Sequence, residues 1–188
     1  AGDGAFYGPK IDFKVKDAIG RIWQLATIQL DFNLPDRFEM EYSAADNTAQ
    51  RPVMIHRAIF GSLERVSMVL TEHFAGAFPT WLAPDQVMII PISDSHNDYV
   101  SDLKKKLVQN EIRAKTDLRS ERMNYKIRDA QEKQVPYMLV IGDKEMESGK
   151  VNVRFRRSQK QIEMSIEEFI AKMQEEIKTR SLDSFIGE

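Results

Sequence analysis

The stretch RPVMIHRAIFGSLERVSMVL, Arg51–Leu70, decides how this chain of 188 residues is read. Val53, Met54 and Ile55 form a short apolar run of the kind expected in a buried strand. Leu63, Val66, Val69, Leu70 and Phe74 then recur at helical spacing and predict a helix from about Ser62 to Ala75. Ser62 is a good N-cap, and Gly76 stands where a C-cap is expected. Gly61 lets the backbone turn between the two elements with no side chain in the way. Arg65, one turn into the helix, adds its charge to the positive end of the helix dipole, an arrangement suited to holding a phosphate. An ordinary strand–turn–helix with a solvated arginine accounts for the same residues.

Upstream of this stretch, residues 1–80 read mostly as extended segments. Downstream, FPTWLAP contains Pro79 and Pro84, each of which restricts its neighbour to extended backbone, so this segment is expected to be a linker. The rhythm then changes. Gln86–Ile92 reads as a buried strand, and Tyr99, Val100, Leu103, Leu107 and Val108 mark one helix face. Ile112–Leu118 is a second strand and Asn124–Gln134 a shorter helix. Tyr137–Gly142 is a strand covered on both faces. KVNVRFRR alternates with period two, predicting a strand with one wet, basic face. Ser165 and Glu168 form a capping box for a last helix marked by Ile166, Phe169, Ile170, Met173 and Ile177. The order is strand, helix, strand, helix, strand, strand, helix, which is an α/β layer structure with a mixed sheet.

Composition narrows the class. A hydrophobic fraction of 42% with 30% charged residues is ordinary for a globular protein, and no cysteine means no disulfide within the chain. No apolar run approaches the roughly 20 residues that span a bilayer, and no signal peptide is visible. Ala1 opens into a loop without an initiator methionine, as expected for the tail of a longer polypeptide. The net charge of −2 hides local contrast. Arg113–Arg128 holds six basic residues against two acidic, and Lys150–Lys160 holds five basic and none acidic. Such patches suit a phosphate backbone, although basic residues at strand ends are equally at home in water.

Several long blocks together resemble one family. IHRAIFGSLER (Ile55–Arg65) looks like motif 3 of the class II aminoacyl-tRNA synthetases, in the form found in threonyl-tRNA synthetases. GAFYGPKIDF (Gly4–Phe13), WQLATIQLDFNLPDRF (Trp23–Phe38), FPTWLAPDQV (Phe78–Val87) and VPYMLVIGDKEMESGKVNVR (Val135–Arg154) resemble the same family. The resemblance implies an α/β (α+β) chain in two parts. Residues 1–80 would be the C-terminal portion of an antiparallel-sheet catalytic domain, and residues 81–188 a mixed-sheet anticodon-binding domain. It further implies a cytoplasmic, homodimeric threonine–tRNA ligase that activates threonine with ATP and Mg2+ and charges tRNA(Thr). The motifs that complete the active site lie upstream of these residues in the family, so this chain alone is expected to be inactive.

Particular residues carry those implications. Arg65 matches the motif 3 arginine that acts catalytically on the ATP phosphates, and Ser62, Gln24 and Thr27 match nucleotide-side positions. Tyr7, Lys10 and Gln29 match positions lining the threonine pocket, where a polar partner for the substrate hydroxyl is chemically apt. Gln24 and Gln29 are five residues apart and face opposite ways on a regular strand, so either a bulge intervenes or only one meets the ligand. His56 matches a position supplying one imidazole to a zinc ion whose other ligands lie upstream. A lone histidine in an apolar strand is otherwise an ordinary core residue. In the second half Arg128, Glu145 and Arg154 match anticodon-reading positions, while Ser120 and Gln134 depart from the best-known bacterial pattern. Arg128 also stands four residues before Glu132, the spacing of a simple helix-surface pair, and Glu145 equally suits a solvated turn. A non-catalytic RNA-binding relative that kept only the anticodon domain is the alternative reading.

Overall fold

The computed structural model describes residues 4–158 and 160–187, so Ala1 and its expected opening loop lie outside the described residues. The chain divides into two compact units, Ala1–Ala75 and Gly76–Glu188.

The first unit is built on an antiparallel sheet of β1 (Lys10–Lys16), β2 (Ile22–Asp31) and β5 (Met54–Ala58), with β2 in the middle. A short helix, α1 (Asn33–Arg37), and a small hairpin of β3 (Tyr42–Ser43) and β4 (Ala49–Gln50) lie between β2 and β5 in sequence. Helix α2 (Leu63–Phe74) closes the unit. Ser62 caps it as expected, its hydroxyl accepting from the Arg65 amide at 3.2 Å. The left-handed C-cap is Ala75, with φ of 50°, and Gly76 continues the turn beyond it. The apolar run at Val53–Ile55 is not buried: Val53 is 49% and Ile55 63% exposed. The reason is that β5 pairs on one side only, and the sheet face carrying Ile55 also leaves Ile11, Phe13 and Val15 accessible.

The second unit holds β6 (Val87–Pro91), α3 (Asn97–Gln109), β7 (Ala114–Thr116), α4 (Met123–Glu132), β8 (Tyr137–Ile141), α5 (Asp143–Ser148), β9 (Lys150–Phe155), β10 (Gln161–Ser165) and α6 (Ile166–Thr179). Its five-stranded sheet runs β10-β9-β8-β6-β7, parallel across β8, β6 and β7 and antiparallel across β8, β9 and β10. Two of these elements escape the sequence pattern. DKEMES is too short and too polar to show a helical period, although Gly142 and Gly149 bracket it. QIEMS merges into the helix that follows, because Ile162, Met164 and Ile166 continue one apolar series across the boundary.

Two cores flank this sheet. Val100, Leu103 and Leu107 of α3 and Phe169, Ile170 and Met173 of α6 pack on one face. Ile127 and Ala130 of α4 pack on the other, against Ile90, Met138 and Val140. The buried Tyr137 hydroxyl donates to Glu176 at 2.6 Å, and its ring stacks on Phe185 at 4.8 Å. Burial and the neighbouring Glu176 charge push that phenol well above its usual range. The FPTWLAP segment, expected to be a linker, is packed into this unit instead, with Thr80 and Ala83 only 3% and 2% exposed. Arg113 donates to the carbonyls of Trp81 and Ala83 at 2.8–3.0 Å, which supplies partners that proline-rich backbone lacks.

Candidate nucleotide and RNA sites

A β-bulge organises the first site. Phe13 pairs with Ala26 and Lys14 with Gln24, so Leu25 is the extra residue on β2. The bulge restores the parity that a regular strand would break. Gln24, Thr27 and Gln29 then stand opposite Lys14, Asp12 and Lys10 on one face. Side-chain contacts agree with the register. Asp12 Oδ1 accepts from Gln24 Nε2 at 2.7 Å and from the Thr27 hydroxyl at 2.8 Å, and Asp12 Oδ2 lies 2.9 Å from Lys10 Nζ. The hydrogen bond from Lys10, then that from Thr27, holds the Asp12 carboxyl below its ordinary range.

The bulge also seats the turn before α2. A Cβ on Gly61 would sit 2.8 Å from the Leu25 carbonyl oxygen, and its φ of 67° is left-handed. Only glycine meets both conditions without strain. Arg65 then reaches back, Nη1 donating to the Gln24 carbonyl at 2.8 Å, with its guanidinium carbon 5.9 Å from the centre of the Trp23 ring. Trp23 is itself held by Asp17, which accepts from the indole nitrogen at 2.9 Å. Burial works to raise the Asp17 pKa, but hydrogen bonds from Trp23 and Arg21 outweigh it and bring it to about 2.

The far end of the same face carries the other predicted residues. Gly8 lies so close to β2 that a Cβ would meet the Leu30 carbonyl oxygen at 2.3 Å. This contact places Tyr7 over β2, where its hydroxyl donates to Gln29 Oε1 at 2.9 Å. His56 is the register partner of Gln29 and meets Tyr7 edge to face at 6.5 Å. Its Nε2 lies 2.9 Å from Asp31 Oδ2. Asp31 is 3% exposed, and its Oδ1 accepts from the amides of Asn33 and Leu34 at the start of α1. The His56 contact, then those amides, keeps the Asp31 carboxyl below its usual range against the effect of burial. Asp12, Asp31 and Trp23 were missed in the sequence. The alternation Lys10, Asp12, Lys14 was the available signal for the first, since period two puts all three on one face.

The second unit distributes its candidates unevenly. Arg128 Nε is bound to Glu132 at 2.8 Å on the exposed surface of α4, the simple pair its spacing allowed. Glu145 is the third residue of α5, and its carboxylate accepts from the Gly142 amide at 2.9 Å, satisfying one backbone donor at the start of that helix. Ser120 is exposed in the turn before α4, and Gln134 has a left-handed φ of 57° with its carbonyl taken by Arg156. Several basic residues counted in the patches are internally paired: Arg119 with Asp117 and Asp129, Arg128 with Glu132, and Lys150 with Glu163. Arg154 differs. Its Nε is buried without a hydrogen-bond partner, as is Oδ1 of Asn152 two residues before it.

Comparison with known proteins connects the two sites. The family described as "tRNA synthetase class II core domain (G, H, P, S and T)" matches residues 1–74, and "Anticodon binding domain" matches residues 86–176. The threonine–tRNA ligase of Sulfurihydrogenibium sp. is 58% identical over 95% of this chain. The chain belongs to the threonyl-tRNA synthetase family. A second member, the threonine–tRNA ligase of Caldanaerobacter subterraneus, is 52% identical over 96% of the chain. This chain spans 28% of the length of each of these two synthetases. A crystal structure of the RNA binding domain of threonyl-tRNA synthetase from Cryptosporidium parvum superposes with a TM-score of 0.86. It is 40% identical, covering 98% of this chain and 46% of that one. The mixed α/β architecture, with its antiparallel and mixed sheets, is thus that of a threonyl-tRNA synthetase. Among the described residues, no helix is long and apolar enough to cross a membrane.

Proposed function

We propose that this chain is the C-terminal portion of a cytoplasmic, homodimeric threonine–tRNA ligase. Residues 1–80 contribute one wall of the site that activates threonine with ATP and Mg2+, and residues 81–188 bind the anticodon loop of tRNA(Thr). The observation that carries the reading is the bulge at Leu25. It sets Gln24, Thr27, Gln29 and Lys10 on one face and gives Arg65 a fixed anchor on the Gln24 carbonyl. In adenylate formation a carboxylate attacks the α-phosphate, and a pre-positioned cation offsets the charge that develops. Arg65 supplies that charge at the end of the strip where Gln24, Thr27 and Ser62 address the nucleotide. Tyr7, Lys10 and Gln29 address threonine at the other end. Threonine-dependent ATP–pyrophosphate exchange by the completed enzyme tests this half, and its absence would favour the non-catalytic relative.

His56 fits a zinc ligand in one respect. Its Nε2 is held by a buried carboxylate, the arrangement that fixes the ring and leaves Nδ1 for a metal. Zinc would bind threonine through its amino and hydroxyl groups and so separate it from valine. Among the described residues no group of three His, Cys, Asp or Glu is placed to hold a metal. Calorimetric titration of this chain with zinc is therefore expected to show no tight stoichiometric binding. A submicromolar one-to-one site would contradict that expectation.

For the second half, Arg128, Glu145 and Arg154 are proposed to contact the anticodon loop, with Arg154 reading a base. Arg154→Ala is expected to weaken binding to a threonine-accepting anticodon stem-loop by about 1–3 kcal/mol. Fluorescence anisotropy on cognate and unrelated stem-loops checks it. Equal losses on both would reassign Arg154 to a phosphate.

A further inference from the structure

We infer that Asn152 is a second base-reading residue, standing beside Arg154 and addressing the Watson–Crick edge of one unstacked anticodon base. The inference rests on the anticodon-binding reading of residues 81–188 and adds to it a residue outside the family-matched set. Three observations lead to it. Val151, Val153 and Phe155 of β9 enter the core beneath α3 and α6. Period two therefore turns Asn152 and Arg154 to the opposite face. On that face the core beneath α4 is built on strands β6 and β8. Asn152 and Arg154 lie one strand further out, paired with Val140 and Met138 on one side and Glu163 and Gln161 on the other.

The second observation is an unmet pair of polar atoms. Asn152 Oδ1 and Arg154 Nε are both buried and both lack a hydrogen-bond partner. An acceptor and a donor stripped of water and left unpaired oppose folding. Single unmet atoms also occur at Trp81, Asn97 and Arg156. What sets Asn152 and Arg154 apart is an acceptor and a donor two residues apart on one strand face. The third concerns the carboxylate on the neighbouring strand opposite Asn152. Glu163, the register partner of Asn152, is held by Lys144 at 2.7 Å and Lys150 at 3.2 Å and is not spent on Arg154.

The two atoms together select a ligand. A phosphate offers acceptors only, which suits Arg154 but leaves the amide oxygen still unmet. A Watson–Crick edge places an N–H donor beside an acceptor and satisfies both. Side chains two apart on a strand stand roughly 6–7 Å from each other at their bases, close enough to converge on one such edge. Unstacked loop bases are read at these edges in single-stranded RNA.

The test uses the 188-residue chain and a threonine-accepting anticodon stem-loop, with each anticodon base replaced in turn. Asn152→Ala is expected to weaken cognate binding about tenfold and to erase discrimination at one base position while keeping it at the others. Salt dependence should not change, because no phosphate contact is lost. The melting temperature should hold or rise, since an unpaired buried acceptor is removed. The inference is overturned if Asn152→Ala binds every loop as the unaltered chain does, loses affinity equally for all of them, or melts several degrees lower. Failure of the unaltered chain to distinguish any of the loops would instead bring down the anticodon reading, and this inference with it.

Discussion

Arg65→Ala in the completed enzyme is expected to lower threonine-dependent ATP–pyrophosphate exchange by about 10²–10³-fold, the usual consequence of removing one pre-positioned group that faces developing charge. The geometry gives the change two separable effects. Arg65 holds the Gln24 carbonyl through Nη1, so its loss also frees the bulge on which Gln24 and Leu25 stand. Arg65→Lys separates them. A lysine keeps the charge but offers a point donor in place of a planar fork, and cannot lie on Trp23 in the same way. If charge on the phosphates dominates, lysine should recover at least tenfold, with kcat affected more than the KM for threonine. If the anchor on Gln24 dominates, lysine should resemble alanine and the KM for ATP should rise. Exchange within threefold of the unaltered enzyme for Arg65→Ala would remove the residue from the reaction altogether.

How much of this was legible beforehand depended on the range of the cause. Ser62 and Gly61 were readable because caps and left-handed turns are local, fixed by residues within one turn of themselves. The buried run of β8 was readable because five consecutive apolar residues admit few other structures. The bulge was legible only as a dilemma. The spacing of Gln24 and Gln29 required one if both were to share a face, but nothing within β2 says that Leu25 is the residue displaced. That is set across the sheet, by Asp12 drawing Gln24 and Thr27 to a single oxygen and by Gly61 packing on the Leu25 carbonyl. Non-local causes explain the other differences too. Ile55 reads as buried from its neighbours, yet burial depends on what lies over the sheet. FPTWLAP reads as a linker from its prolines, yet Arg113 and Arg156 are far away in sequence and fasten it down. The basic patches counted along the chain contain ion pairs with carboxylates from other elements, as for Lys150 with Glu163. A count of charges cannot see those pairs.

Arg156 offers the strongest test of that fastening. Its guanidinium donates to three carbonyls at 2.7 Å: Gln134 through Nη1, and Ala77 and Phe78 through Nη2. Burial brings its pKa down to about 10, which still leaves it charged at neutral pH. A buried cation among carbonyl oxygens is favourable only while all of those bonds are made, because each stripped carbonyl left alone carries its own desolvation cost. Arg156→Ala is therefore expected to destabilise the second unit by about 2–4 kcal/mol, since it strips partners from three carbonyls but leaves no unpaired charge behind. Arg156→Lys should recover only part of this, since one ammonium on a flexible stem cannot reproduce two parallel N–H bonds to adjacent carbonyls. Urea unfolding followed by tryptophan fluorescence is well placed to measure it, because Trp81 lies inside the fastened segment. A further readout separates local from global effects. If Arg156 acts on the segment alone, amide exchange at residues 77–83 should quicken far more than exchange in β8. Uniform acceleration through β8 would show instead that the arginine supports the whole sheet from its β9 end. A midpoint unchanged in urea would mean that the three carbonyls find water as readily as they found the guanidinium, and the segment would then be held by its apolar contacts.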